Sequence, residues 1–170
     1  MLNKLFKNSY WQDCESNQAI FRLILSLLVT FQIGYGMEMN YYPPHFDEFL
    51  LLAFSYNTFS ILNLISLKYY RHSELRTYLS IPLDVIGVSC AMLLTDAGPF
   101  SPLFLLYPWM YVSYAVRYGV NHLYYIAISC VTAFIVILGI TDTWHSHSLD
   151  AFVYLAFLLM LPVYLKIILK

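Results

Sequence analysis

Six apolar stretches, separated by short polar segments, follow one another along the chain. They cover residues 19–37, 49–67, 78–94, 103–116, 123–140 and 151–169. A helix needs about 20 apolar residues to cross a bilayer, with a range of about 17–25, and five of the stretches meet that length. The fourth is shorter and crosses only if its helix continues through Arg117 and Tyr118. The pattern predicts an all-α fold, a polytopic transmembrane helical bundle of about six helices.

The composition indicates that lipid is the solvent for most of the chain. Hydrophobic residues make up 60% of it and charged residues only 11%, whereas a soluble domain carries about 25% charged residues. The net charge of -1 gives no electrostatic reason to expect a nucleic acid among the partners. The first apolar stretch starts late and contains Arg22, which favours a retained span over a cleaved signal peptide.

Lysine and arginine residues predict the orientation of the bundle, because such residues stay on the cytoplasmic side of a membrane. The nine of them are Lys4, Lys7, Arg22, Lys68, Arg71, Arg76, Arg117, Lys166 and Lys170. Segments 38–48, 95–102 and 141–150 contain none. Six crossings with both termini cytoplasmic place every basic residue at the cytoplasmic side. Five crossings, with the N-terminus outside, are the alternative.

The first apolar stretch also sets the only domain boundary that the sequence suggests. Residues 1–18 form a cytoplasmic or interfacial N-terminal segment, and residues 19–170 form the transmembrane bundle. Within the first segment, residues 2–11 have apolar side chains near one helical face. They are interpreted either as a short helix lying in the plane of the inner surface or as a frayed tail.

No constellation of catalytic residues is found in the chain. It has no phosphate-binding glycine loop, no zinc-protease helix and no strand-to-helix elbow for a nucleophilic serine. No catalytic residue, cofactor or metal site is therefore assigned. Metal binding by methionines and histidines in the outer segments is a disfavoured alternative; those residues are Met37, Met39, His45, His145 and His147.

Asp84 is the most informative single residue. It lies about seven residues into the third apolar stretch, roughly 10 Å below the inner end at 1.5 Å per residue. A carboxylate inside a membrane is costly, so it is expected to face the bundle and to have a partner. Arg117 and Arg22 lie near that depth. The sequence predicts a polar cluster of Asp84 with Arg117 or Arg22 in the inner leaflet, and a structural ion pair remains the alternative to a signalling role.

From Leu83 onward the chain resembles the membrane-embedded input domain of RpfC-like hybrid sensor histidine kinases. The residues that carry the resemblance are Leu83-Asp84, Gly98-Pro99-Phe100-Ser101-Pro102-Leu103, Trp109, Arg117-Tyr118-Gly119 with Asn121 and Leu123, Trp144, and Leu161-Pro162-Val163-Tyr164. A weaker match covers Glu15, Gln18 and Arg22. The chain departs from the family pattern at Ser113-Tyr114-Ala115, where the family has a Gly-Asn-Gly-like step.

The resemblance implies a function. That family receives diffusible signal factors, which are cis-2-unsaturated fatty acids used in quorum sensing, and relays them through a two-component system. It implies a sensory module of the bacterial inner membrane that acts on a cytoplasmic kinase core outside these residues. A homodimer is expected, and the parent protein is expected to be a sensor histidine kinase.

A fatty-acid-like signal would reach such a bundle through the membrane lipid, since each buried CH₂ favours partitioning by about 0.8 kcal/mol. Its carboxylate needs a cation or hydrogen-bond donors. Arg22 and Arg117 are the candidate cations, with Asp84 as their partner before the ligand binds. The resemblance adds Glu15 and Gln18 as candidate ligand-binding residues. A small transporter or channel, a membrane scaffold and a sensor of an outer-face metal are the alternatives.

Overall fold

The computed structural model describes residues 2–43, 45–69, 74–95 and 98–169, with side chains from Ser16 onward apart from those of Lys68 and Glu74. The α-helices are α1 (Leu2–Glu38), α2 (Phe46–Tyr69), α3 (Glu74–Leu94), α4 (Leu106–Tyr118), α5 (Val120–Ile140), a short α6 (Thr143–Ser146) and α7 (Ser148–Ile168). Two 3₁₀ turns, Gly98–Phe100 and Pro102–Leu105, precede α4. No strand occurs in these ranges, so the predicted all-α class is confirmed for the described part of the chain.

Five helical segments are long and apolar enough to cross a membrane, which indicates a multi-pass membrane protein. They are Ser16–Glu38, Phe46–Leu67, Leu75–Leu94, Val120–Ile140 and Ser148–Ile168. The fourth apolar stretch is divided between the 3₁₀ turns and the 13-residue α4. Pro108 is the third residue of α4, where a backbone N–H has no partner within the helix, so proline is tolerated there.

The N-terminal segment differs from both interpretations offered for it. Residues 2–11 belong to α1, which is continuous from Leu2 to Glu38, whereas a separate in-plane helix would require a break before the span. The 37 residues of α1 correspond to about 55 Å at 1.5 Å per residue. This is nearly twice the thickness of the hydrocarbon core, so α1 is long enough to extend well beyond it.

The chain divides into two compact units, Met1–Thr77 and Tyr78–Lys170, with the boundary inside α3. Unit 1 contains the antiparallel pair of α1 and α2. The Arg22 guanidinium lies 5.7 Å from the centroid of the Phe59 ring, and Ser26 Oγ donates to Asn57 Oδ1 at 2.8 Å. Since higher numbers on α1 meet lower numbers on α2, the two helices run in opposite directions.

The turn between α1 and α2 depends on the close approach of Tyr42 to Gly36. The amide N–H of Tyr41 donates to the Gly36 carbonyl at 2.8 Å, and Asn40 takes a left-handed φ of 58°. A Cβ atom on Gly36 would lie 2.3 Å from the Tyr42 ring. Only glycine leaves room for this ring, which closes the hairpin.

Unit 2 contains segments that alternate in direction. Tyr78 near the start of α3 stacks on His122 near the start of α5, with 4.7 Å between ring centroids. At the opposite end, a Cβ atom on Gly98 would lie 3.2 Å from Thr141 Cγ2. The start of α3 therefore lies beside the start of α5, and the segment after α3 lies beside the end of α5, so α3 and α5 run in the same direction. The segment from Gly98 through α4 runs in the opposite direction, from the end of α5 back to its start.

The last helix, α7, runs opposite to α5. Near its start the Tyr154 ring packs on Phe104 with 4.6 Å between centroids, while near its end Lys166 Nζ lies 5.3 Å from the centroid of Tyr124 in the first turns of α5. Phe104 also packs on the fully buried Phe134 at 5.4 Å. These rings form the aromatic core of unit 2.

Gly119 is the single residue between α4 and α5. It has φ 86° and ψ -172°, a combination that is essentially restricted to glycine. A Cβ atom there would meet no neighbour within 4 Å. Glycine is therefore required at this position because of its backbone conformation and not because of crowding by neighbouring atoms. Gly119 lets the chain reverse direction in one residue, which places Arg117 and Tyr118 beside the start of α5.

Candidate functional site

Asp84 is buried within unit 2, as the cost of an intramembrane carboxylate requires. Only 6% of it is exposed. The Tyr114 hydroxyl on α4 donates to Asp84 Oδ2 at 2.8 Å, and Tyr114 is itself 2% exposed. A hydrogen bond from a neutral hydroxyl to a carboxylate is charge-assisted and therefore among the stronger ones. It fixes α3 to α4 at this depth.

Tyr114 belongs to a tyrosine stripe on one face of α4, formed by Tyr107, Tyr111 and Tyr114. The spacing of four and three residues places all three on one side of a helix, and all three are fully buried. The Tyr107 hydroxyl shares a 2.7 Å hydrogen bond with Ser89 Oγ on α3. The Tyr111 hydroxyl donates to the Ala127 carbonyl on α5 at 3.5 Å. The tyrosine stripe therefore joins α4 to both neighbours.

Pro82 lies inside α3, two residues before Asp84. Proline has no N–H, so the carbonyl four residues earlier, that of Tyr78, loses its normal helical donor. Tyr78 is also the α3 residue whose ring stacks on His122. The first half of α3 thus combines a proline, a buried carboxylate and an aromatic contact to α5 within seven residues. Asp84 is the middle residue of the 21-residue α3, deeper than the inner-leaflet position that the sequence predicts.

An aromatic ladder continues from the carboxylate toward the end of α4. The Tyr114 and Tyr118 rings are 5.8 Å apart, and those of Tyr118 and His122 are 5.2 Å apart. His122 Nδ1 lies 3.2 Å from the Tyr118 carbonyl oxygen. Arg117 is half-buried on the same turn, and its Nη1 donates to Ser113 Oγ at 3.0 Å. A basic side chain thus lies in the last turn of α4, one turn beyond the tyrosine that bonds the buried acid.

The remaining predicted site residues belong to unit 1. Arg22 is 9% exposed and lies over the Phe59 ring, where the aromatic face favours a cation. Gln18 is 7% exposed, one turn earlier on α1. The side chain of Glu15 lies outside the described residues. Gln18 and Arg22 therefore share one unit, and Asp84 and Arg117 share the other. The predicted pairing of Asp84 with an arginine stays a prediction.

Two of the histidines that the sequence offered as metal ligands, His145 and His147, each lie close to an acid. His145 Nε2 is 3.9 Å from Asp142 Oδ1, and His147 Nδ1 is 3.7 Å from Asp150 Oδ2. All four side chains are largely exposed. Within the ranges that the structure describes, no three His, Cys, Asp or Glu side chains form a group that could hold a metal ion.

Sequence reasoning did not identify Tyr114 as the partner of Asp84, nor His122 as part of the site. Tyr114 was noticed only as a departure from the family pattern. The sequence feature that indicates their role is the spacing of Tyr107, Tyr111 and Tyr114 inside an apolar stretch. Interfacial tyrosines gather at the ends of spans, so a regular series within one indicates hydroxyls that bond other helices.

Comparison of the chain with protein-family models, with curated proteins and with solved structures finds no match.

Proposed function

We propose that this chain is the transmembrane sensory module of a two-component histidine kinase that detects a small, lipophilic, fatty-acid-like quorum-sensing signal. The signal reaches the bundle through the lipid, and α7 relays its binding to a cytoplasmic kinase core. The observation that carries the proposal is the Asp84 carboxylate, buried inside a membrane-spanning helix and bonded by Tyr114. Ionisable groups at such depth are usually functional. The resemblance supplies the class of signal.

The proposed location is the bacterial inner membrane, with six crossings and both termini cytoplasmic. The short fourth segment supports the sixth crossing by its length. Four residues of 3₁₀ helix and thirteen of α4 span about 28 Å at about 2.0 and 1.5 Å per residue, close to the 30 Å of hydrocarbon. The common direction of α3 and α5 requires a return segment of this length between them.

The proposed ligand contacts are cationic and polar groups at the inner ends of the helices. Arg117 of unit 2 would neutralise the signal carboxylate. Arg22 stays a candidate cation of unit 1, where the resemblance adds Gln18 and Glu15 as candidate contacts. A carboxylate that binds Arg117 lies one turn from Tyr114 and competes with Asp84 for the same local donors. Loss of the bond between Tyr114 and Asp84 would loosen α4 from α3 at this level, while the bond between Tyr107 and Ser89 still joins the two helices. This displacement is the proposed first step of the response.

The relay would pass from α4 to α7 through the aromatic core. Phe104 in the turn before α4 packs on Tyr154 of α7. A displacement of the fourth segment would therefore be transmitted to the last helix through this contact. Pro162 lies inside α7 and removes the donor for the Leu158 carbonyl, a position where helices bend. The helix then continues toward the C-terminus, where a kinase core of the parent protein would follow, expected as a homodimer.

The experiment that tests this function is ligand-induced stabilisation of the full chain in lipid nanodiscs. A cis-2-unsaturated fatty acid and its saturated analogue are titrated against the wild type, Arg117→Met and Lys166→Met. The last variant is the matched control, because it removes a positive charge near the C-terminal end of α7, over Tyr124. A ligand specific for the folded state stabilises it by about 2.7 kcal/mol at 100 times its dissociation constant.

We expect a saturable rise in the unfolding midpoint that requires the cis-2 bond, is lost in Arg117→Met and persists in Lys166→Met. Equal shifts with both acids would mean that the fatty acids only partition into the nanodisc. The absence of any shift would remove fatty acids as the signal.

A further inference from the structure

Two buried amide groups in unit 1 have no hydrogen-bond partner among the described residues. They are Gln18 Oε1 on α1 and Asn63 Nδ2 on α2. Gln18 is 7% exposed and Asn63 is 9% exposed, so both side chains are more than nine-tenths buried. One group is an acceptor and the other a donor. Both residues lie near one end of their candidate spans, Ser16–Glu38 and Phe46–Leu67, and a buried polar group without a partner is costly.

The contact between Arg22 and Phe59 places the two amides at the same level. Gln18 lies four residues before Arg22, and Asn63 lies four residues after Phe59. Because α1 and α2 are antiparallel, these equal steps lead in the same direction along the pair. Residues four apart lie on one helical face. The two amides therefore approach each other across the interface, within about one helical turn.

The polar side chains next to them in the same interface are fully bonded, so the unpaired amides are an exception. Asn57 accepts from Ser26 Oγ at 2.8 Å, and its Nδ2 donates to Thr30 Oγ1 at 3.3 Å and to the Ala53 carbonyl at 2.7 Å. Ser60 Oγ donates to the Tyr56 carbonyl at 2.9 Å. The interface is thus built to satisfy polar groups.

One group that both donates and accepts a hydrogen bond would satisfy both amides. It would donate to Gln18 Oε1 and accept from Asn63 Nδ2. Exchanging oxygen and nitrogen in both amides only reverses the direction of the two bonds. A hydroxyl has this capacity, whereas an ether oxygen only accepts and a carboxylate only accepts.

We propose that Gln18 and Asn63 form a binding site for the hydroxyl head of a single-chain amphiphile that enters from the bilayer. The surfaces beside the site suit its hydrocarbon chain, because Ile24, Leu28, Ile61 and Leu62 are exposed and apolar. This site goes beyond the proposed function, in which Asn63 has no part. It requires a neutral head group and does not involve Asp84 or Arg117.

The test uses dodecanol as the probe and its methyl ether as the matched compound that lacks a donor. Both are titrated against the full chain in nanodiscs, with the unfolding midpoint as the readout. The variants are Asn63→Leu, Gln18→Met and, as the matched control on the same helix, Asn57→Leu. We expect the alcohol to bind the wild type at least about tenfold more tightly than the ether, since one hydrogen bond of 1.4 kcal/mol corresponds to a factor of ten.

The variants distinguish an amide that binds a ligand from an amide that is bonded within the protein. Asn63→Leu and Gln18→Met should raise the midpoint without ligand, because they remove an unsatisfied group, and should abolish the preference for the alcohol. Asn57→Leu should lower the midpoint and keep the preference. Equal effects of alcohol and ether would overturn the proposal.

Two further outcomes would also overturn it. One is a loss of stability in Asn63→Leu as large as that in Asn57→Leu, which would mean that Asn63 has a partner within the protein. The other is stabilisation by Asn63→Leu with no saturable effect of the alcohol, which would mean that water alone satisfies the two amides. The response to cis-2-unsaturated acids is measured in parallel, so failure of the fatty-acid function and failure of this site are distinguishable.

Discussion

Units 1 and 2 hold their helices together in different ways. Unit 2 has a core of buried rings whose hydroxyls each bond another helix: Tyr107 bonds Ser89 and Tyr114 bonds Asp84. Unit 1 joins its two helices through small polar side chains, such as Ser26 and Asn57. Buried residues make up 28% and 6% of the candidate spans of α1 and α2, and 39%, 33% and 17% of those of α3, α5 and α7.

The difference shows which forces remain when lipid replaces water. Lipid tails are as apolar as leucine, so burying apolar area gives little net stabilisation, and helices associate through packing and hydrogen bonds. Unit 2 uses both, because each tyrosine supplies a large ring and a polar tip. Unit 1 combines buried apolar side chains, such as Ile33 and Met37, with polar pairs, and two of its buried polar groups have no partner among the described residues. We therefore expect unit 2 to be the more stable and unit 1 the more responsive to small polar ligands.

The largest effect should come from the aromatic core. Phe134→Ala removes a fully buried ring that packs on Phe104, and should cost about 3 kcal/mol, near the lower end of the range for such substitutions in water. The control is Phe54→Ala on α2, whose ring is 77% exposed and should change little. Unfolding free energies measured by steric trapping in bicelles check this. Equal losses of unfolding free energy in Phe134→Ala and Phe54→Ala would contradict the proposed difference between the two units.

The bond between Tyr114 and Asp84 gives the next largest effect. Tyr114→Phe keeps the ring and removes the hydroxyl, so the buried carboxylate loses a charge-assisted bond, at a cost of about 2 kcal/mol. Tyr125→Phe is the control, because Tyr125 is 38% exposed and it contacts Tyr78 through its ring. A Tyr114→Phe variant as stable as the wild type in the same assay would show that the hydroxyl is not needed to hold Asp84.

The reversal between α4 and α5 can be tested by a pair of glycines. Gly119→Ala forces a side chain into a conformation that L-residues rarely adopt and should cost about 1 to 2 kcal/mol. Gly139→Ala lies within α5, where nothing lies within 4 Å of the added methyl group, and should cost nothing. The midpoints of SDS-induced unfolding compare the two. Gly119→Ala unfolding at the wild-type midpoint would contradict the conformational argument.

The smallest effect is expected in unit 1. Ser26→Ala removes the bond to Asn57, but the Asn57 amide keeps its other partners, so the loss should be about 0.6 kcal/mol, the average for polar contacts between membrane helices. Ser55→Ala, which removes only a bond to a carbonyl of its own helix, serves as the control. A loss above about 2 kcal/mol would mean that unit 1 is held as firmly as unit 2.

The helices could be predicted from the sequence because the length of an apolar run alone decides whether a helix can cross a bilayer. The burial of Asp84 was predictable for a related reason, since a charge cannot face lipid at low cost. Both predictions depend on the apolar solvent around the helices and not on which residues of other helices lie next to them. The start of the fourth helix was less predictable, because the 3₁₀ turn at Pro102–Leu105 is as apolar as the helix that follows.

The partner of Asp84 could not be predicted, because a uniformly apolar stretch does not reveal which face meets α3. Tyr114 also lies in the part of α4 that departs from the family pattern, so the resemblance gave no guidance there. The unpaired amides of Gln18 and Asn63 were beyond prediction too. They depend on the pairing of α1 with α2, which is set by contacts such as that of Arg22 with Phe59.

The central claim is that a signal bound near Arg117 moves α7 relative to α3. Spin labels on Leu79→Cys and Val163→Cys, both at exposed positions, report that distance by electron–electron dipolar spectroscopy once the three native cysteines are replaced. We predict that a cis-2-unsaturated fatty acid shifts the distance distribution in the wild type and leaves it unchanged in Arg117→Met, whereas the saturated acid has no effect in either. A distribution that stays the same at saturating ligand would contradict the account.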